Sequence, residues 1–312
     1  MFARLVAAHR PAAFIFENVE GFLTTEGGRR VLDLLEPLID AGYHIHLRKV
    51  NAANYGVPQH RKRVVAVGGL GREPGFPEPT HFAYGAPGAS LVGHDLPRTP
   101  TLMKCIGDLP APSIDDNPTL PDHRSRRLSG MDLERASQLK PGQRMRDLPE
   151  ALWHTSYVRR ANRRVMDGTP TERRGGAPSG VRRLMPDEPS KAITGAARNE
   201  FIHPVEDRPL TLRECARLQT FPDDFEFAGT VSERATLIGN AVPPLLAYRI
   251  GLSLMYSLSG GGAEKDGAGE GRLLSFVPTL SNGMSPALKA TTEMVRQRFG
   301  LAPKERQQLL WS

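Results

Sequence analysis

Apolar positions along residues 12–70 follow two periods in turn. "AAFIFENV", 12–19, is a short apolar run of strand length that ends in a carboxylate and an amide, Glu17 and Asn18. "RRVLDLLEPLIDAG", 29–42, places Val31, Leu34, Leu35 and Leu38 on one stripe, which predicts an amphipathic helix interrupted at Pro37 and stopped by Gly42. "YHIHLRKVNA" and "RKRVVAVGG" then read as two strands joined by "ANYGVPQH". Alternation of strand and helix predicts α/β layering, in which side chains at the carboxyl ends of strands face a ligand crevice. Glu17 stands at such an end.

From about residue 72 to 180 the periodicity dissolves. "REPGFPEPTHFAYGAPGAS" and "DLPAPSIDDNPTLPDH" hold prolines too dense for a helix or a central strand, so this stretch reads as a loop-rich module. Regularity returns at "TLRE", where Thr211 and Glu214 have capping-box spacing ahead of the helix "LRECARLQTF". Cys215, among Leu212, Ala216 and Leu218, is expected to be a core thiol. "IGNAVPPLLAYRIGLSLMY" announces a further helix entered through a tight "GNAVPP" loop. "SGGGAEKDGAGEG" reads as a flexible linker, and "SPALKATTEMVRQRFG" as a helix capped by Ser285, with Pro286 in its first turn and Gly300 as its stop.

Composition narrows the class. The chain has 312 residues, 39% of them hydrophobic, and no run approaching the roughly 20 apolar residues that span a bilayer. With no apolar signal core in "MFARLVAAHRPAAF", a soluble protein without a membrane partner and a cytoplasmic location are expected. Its two cysteines, Cys105 and Cys215, form neither a disulfide framework nor a thiolate metal site, so no metal is expected. The 41 basic against 34 acidic residues give a net charge of +7, which suits a polyanionic partner. That charge concentrates in "RRANRRVMDGTPTERRGGAPSGVRR", 159–183, whose arginine pairs among Gly, Pro and Thr fit either loop-borne phosphate contacts or a solvated basic loop.

Taken in order, "FENV", "YGVPQHRKRVVAVG", "PSKAITG", "LTLRECARLQTFPDDF" and "IGNAVPP" resemble the later motifs of the DNA cytosine-5 methyltransferases. The resemblance spans residues 1 to about 255 apart from the irregular middle, and five blocks in sequence are far more specific than any one of them. It implies methyl transfer from S-adenosylmethionine to C5 of a flipped cytosine in double-stranded DNA, most often in a restriction-modification system. In such enzymes a cysteine thiolate adds to C6, and a carboxylic acid at N3 takes up the charge that builds on the ring. Carried onto this chain, the resemblance makes Glu17 the N3 group, Arg63 the contact to cytosine O2 and Arg61 the brace of Glu17 or of the extruded nucleotide's backbone, with Asn18 and Gln59 in support. Strand alternation sends Gln59, Arg61 and Arg63 to one face. Asn240 and the backbone of Ala241 are implied cofactor contacts, and Arg159, Arg160, Arg163, Arg164, Arg173 and Arg174 implied DNA contacts.

The implied architecture is a partial S-adenosylmethionine-dependent, Rossmann-like α/β fold with a smaller irregular target-recognition domain. The expected parts are a catalytic segment at 1–72, the recognition domain at 73–183, a helical return at 184–257, a linker at 258–272 and a tail with one helix at 273–312. Two of the family's features are missing from these residues. There is no Pro-Cys dipeptide to serve as nucleophile, and no glycine-rich cofactor turn after a strand. Three arrangements meet that departure: one subunit of a split enzyme whose partner chain carries the nucleophile, a chain truncated upstream, or a remnant that binds DNA without catalysis. An RNA-directed relative is a further alternative, which the large arginine-rich region disfavours.

Overall fold

The computed structural model describes residues 1–83, 95–114, 120–162, 180–261, 271–279 and 283–301. It divides into two compact units, one of Met1–Thr99 with Pro244–Ser312 and one of Pro100–Pro243. In chain order the first unit begins with α1 (Phe2–His9), β1 (Ala13–Asn18), α2 (Arg29–Asp40), β2 (Tyr43–Asn51), the two-residue β3 (Gln59–His60) and β4 (Lys62–Leu70). The second unit follows with α3 (Leu102–Ile106), α4 (Gly130–Gln138), α5 (Thr155–Asn162), β5 (Arg182–Arg183), β6 (Ser190–Lys191), α6 (Ala197–Glu200), β7 (Phe201–Ile202), α7 (Leu212–Leu218) and α8 (Val231–Asn240). The chain then returns to the first unit as α9 (Pro244–Tyr256), β8 (Leu273–Val277) and α10 (Pro286–Phe299).

The first unit is built on a sheet of strand order β1-β4-β2-β8. β4 runs antiparallel to both neighbours, and β8 joins β2 in parallel with a register shift at Ile45/His46. The stripe of α2 closes on this sheet as its spacing requires: Val31, Leu34, Leu35 and Leu38 share one core with Phe14, Tyr43, Ile45, Leu47 and Val64. Each such buried aliphatic side chain is worth about 1.5–3 kcal/mol of transfer free energy. α2 continues unbroken through Pro37 to Asp40, and Gly42 ends the turn after it with φ +95°. β1 is an edge strand, and no strand among the described residues pairs with its outer side, where Ile15 is 41% exposed.

The segment read as linker and tail is part of this unit. β8 fills the far edge of the sheet, and α10 places Val295 in the shared core and pairs Arg298 Nε with Glu36 Oε1 at 2.6 Å. Ser285 caps α10 by accepting from the Leu288 amide at 3.3 Å, with Pro286 in the first turn and Gly300 left-handed at the end. Residues 262–270 of the expected linker lie outside the described residues.

The second unit extends further toward the carboxyl end than the expected recognition domain. Leu102, Ile106, Leu184, Phe201, Leu212, Cys215, Leu218 and Ile238 form a single core, so residues 184–243 pack with the loop-rich stretch and only Pro244 onward rejoins the sheet unit. Buried arginines replace regular structure as its frame. Arg213 donates to the carbonyls of Pro121, Pro222 and Phe225 at 2.8–2.9 Å. Arg183 donates to those of Leu139, Ala136 and His203 at 2.7–2.8 Å. A guanidinium has five donors, and these two use them on carbonyls of loops and of the end of α4.

Candidate active site

The site grows from the sheet's own register. Glu17 stands opposite Val65 and Asn18 opposite Val64, so Arg63, two residues before Val65, lies diagonal to Glu17 on the same face. Its Nε meets Glu17 Oε1 at 2.7 Å, and its Nη1 donates to the Lys62 carbonyl at 2.8 Å. Oε2 of Glu17 makes no hydrogen bond among the described residues, and the side chain keeps 25% of its surface open. The carboxylate is therefore fixed at one oxygen and available at the other.

This arrangement gives Arg63 a contact that was expected of Arg61. Arg63, expected at the base, is the arginine that braces Glu17, because cross-strand geometry brings it there. Arg61, expected as the brace, is only 1% exposed and lies one residue before β4 begins. Burial, with Arg63 nearby adding repulsion and Glu17 opposing both, pushes its guanidinium down to about 10, which leaves it charged at neutral pH. Gln59 is fully buried as well, but the Arg61 amide donates back to the Gln59 carbonyl at 3.1 Å and the chain is not in strand at Arg61, so Gln59, Arg61 and Arg63 do not share one unbroken strand. Asn18 folds its Oδ1 back to accept from the Val19 amide at 2.8 Å, turning the chain out of the strand.

Sequence reasoning missed a second ion pair at the end of the same strand. Lys49, nearly buried on β2, pairs with Glu20 just beyond the strand end. Lys49, Val64 and Asn18 lie on one cross-strand row, adjacent to the row of Glu17, Val65 and Arg48, so by strand alternation Lys49 points to the opposite face of the sheet from Glu17. The second carboxylate of "ENVE" was the available signal.

In the other unit, Asn240 ends α8 and Ala241 caps it. Gly239 permits that position, because a Cβ there would stand 2.1 Å from the Gly195 nitrogen. Gln219 Nε2 also donates to the Ile238 carbonyl at 2.6 Å and pins the helix end. Asn240 is exposed, but the Ala241 amide already donates to the Leu237 carbonyl at 3.1 Å. Neither residue lines the three cavities, of about 490, 200 and 210 Å³, described in the second unit. These two positions do not by themselves enclose a molecule the size of S-adenosylmethionine.

Both thiols are unsuited to nucleophilic attack. Cys215 is fully enclosed in the core, and burial raises its pKa strongly. Burial pushes Cys105 up to about 11, outweighing nearby Arg217, while its Sγ donates to the Arg217 carbonyl at 3.4 Å. Of the expected DNA contacts, Arg159 and Arg160 fall on α5, and Arg163, Arg164, Arg173 and Arg174 lie outside the described residues. Arg183, at the end of the same basic run, is one of the buried arginines that frame the unit.

Residues 1–255 match the family model of the C-5 cytosine-specific DNA methylases. Among curated proteins, the chain is 34% identical over 250 residues to the type II methyltransferase M1.HphI of Haemophilus parahaemolyticus, covering 80% of this chain and 58% of that protein. It is 32% identical over 260 residues to the type II methyltransferase M.NgoFVII of Neisseria gonorrhoeae, covering 81% and 61%. The chain thus spans about three fifths of the length of these relatives. A crystal structure assigned to a DNA modification methyltransferase of an Escherichia coli prophage shares the fold, with a TM-score of 0.54 and 21% identity over 83% of this chain and 73% of that one.

Proposed function

The chain belongs to the C-5 cytosine-specific DNA methylases, and from that membership we propose that its residues form the base-holding and duplex-recognising part of a restriction-modification DNA (cytosine-5) methyltransferase acting in the cytoplasm. The family uses S-adenosylmethionine, which supplies an electrophilic methyl group. The substrate is a cytosine turned out of duplex DNA. The observation that carries this reading is the Glu17–Arg63 pair at the end of β1, where one carboxyl oxygen is fixed and the other is open.

Cytosine C5 is a poor nucleophile until a thiolate adds to C6. As that C–S bond forms, electron density moves through the ring toward N3 and O2. Glu17, hydrogen-bonded at N3 through Oε2, shares a proton with that nitrogen and lowers the cost of the charge. Arg63 holds Glu17 in position through Nε and serves O2 with the rest of its fork. Arg61, buried behind, keeps a positive field at the corner.

The thiolate comes from a segment outside these 312 residues, on a partner chain or on further sequence of the same chain, since neither Cys105 nor Cys215 can supply it. The open outer edge of β1 offers that segment a place to add a strand. Asn240 contributes one edge of the methyl donor's site once that segment is present.

The test is Glu17→Gln in the enzyme assembled with the missing segment. Turnover is expected to fall on the order of 10²-fold or more, the usual scale for losing a positioned acid, with duplex affinity changed less than threefold. Turnover within fivefold of the parent would remove Glu17 from the chemistry.

A further inference from the structure

The second unit holds a feature that the arginine run at 159–183 does not explain. A cavity of about 490 Å³ is lined by Arg124, Arg126, Arg127, Arg198 and Arg234, with Asp122 as its one acid. Arg126 and Arg198 also line a second cavity of about 210 Å³, so the two share a wall of guanidinium groups. Asp122 pairs with Arg234 Nη1 at 2.7 Å and also attracts Arg198, one acid among five arginines in this lining.

The wall is built, not incidental. His123 anchors the strip that carries three of the arginines, its Nε2 to the Pro110 carbonyl at 2.7 Å and its Nδ1 to Thr211 Oγ1 at 3.0 Å. The Arg213 amide donates to the Asp122 carbonyl at 3.0 Å and holds the strip from the other side. Arg124, Arg126 and Arg127 then stand exposed along an extended stretch. The Nε atoms of Arg198 and Arg234 are buried and make no hydrogen bond. Burial lowers the pKa of Arg198, and repulsion from Arg126 and Arg234 lowers it further against the opposing pull of Cys215 and Asp122. Several cations held together with unused donors cost free energy unless an anion joins them.

We propose that this double cavity is the phosphate-binding site of the second unit, taking consecutive phosphodiester groups of duplex DNA. Arg126 and Arg198 form its shared wall, and Arg124 and Arg127 its rim. Guanidinium forks suit phosphate oxygens, and each neutralised phosphate releases counterions. The proposal rests on the reading that the chain binds DNA. Sequence alone hides it, because "HRSRR" looks like any polar strip and Arg198 and Arg234 stand isolated along the chain.

The test is fluorescence anisotropy of the full chain with a labelled duplex across a salt series. Arg126→Ala/Arg127→Ala is the main variant, and Arg198→Lys retains charge at the less accessible position. The double variant is expected to weaken binding at least tenfold on every duplex sequence and to reduce the slope of log K against log salt by about 1–2. Arg198→Lys is expected to keep the slope within about 0.5 of the parent. A parent that binds with a steep slope and a double variant that matches it would overturn the site while leaving DNA binding intact. A parent that does not bind duplex DNA would overturn both readings. Inorganic phosphate raising the melting temperature of the parent but not of the double variant, with duplex binding equal in both, would assign the cavity to a free anion and overturn the DNA proposal.

Discussion

At the scale of single residues, the chemistry rests on which groups are charged and which are free to move. Glu17 owes its position to a diagonal cross-strand contact, and this is legible only once the register of β1 and β4 is known. The resemblance to the family, carried by the order of "FENV" and "QHRKR", implies that Glu17, Arg61 and Arg63 belong together. It does not show which arginine reaches the carboxylate, because alternation fixes a face and not an offset between strands. The thiols were simpler to read: apolar neighbours around Cys215 predict a core position, and the structure places it there. If neither thiol attacks the base, Cys105→Ser in the assembled enzyme leaves methylation within about twofold of the parent, measured as initial rate. Loss of activity on that substitution would locate the nucleophile in this chain.

Elements were legible where caps and stripes coincide. Thr211 and Glu214 close both halves of their capping box, and Ser285 and Gly300 bound α10 as expected. α8 was not anticipated, although Thr230 and Glu233 form the same box at its start. Its first turn is polar and exposed, so no apolar stripe drew attention to it. β8 was hidden for another reason: five residues between a glycine-rich stretch and a helix carry too little pattern, and only pairing with β2 makes them a strand. The docking of α10 can be tested at Gly28. This glycine has φ +92°, and a Cβ on it would stand 2.5 Å from Thr291 Oγ1. Gly28→Ala is expected to cost about 1–3 kcal/mol in urea unfolding followed by circular dichroism. Gly21→Ala, where nothing lies within 4 Å, is expected to stay within about 0.5 kcal/mol. Equal effects at the two positions would show that α10 does not press on that turn.

At the scale of the whole molecule, ordered motifs identified the family from residues 1–255, and composition pointed to a polyanion. The division of labour between units was less legible. Residues 184–243 of the expected helical return pack with the recognition region, because Leu184, Leu212 and Ile238 complete a core begun at Leu102. Sequence order cannot reveal that, since a core is defined by contacts between distant residues. The central claim is that these residues hold a cytosine for a nucleophile that comes from elsewhere. The most direct measurement is transfer of labelled methyl groups from S-adenosylmethionine to duplex DNA, by the 312-residue chain alone and after addition of a matching segment that carries the cofactor turn and a Pro-Cys loop. No label should enter the DNA with the chain alone, and label should appear at cytosine C5 once the segment is supplied. Full methylation by the chain alone would contradict the account, because it would require a thiolate from Cys105 or Cys215, whose ionisation burial opposes.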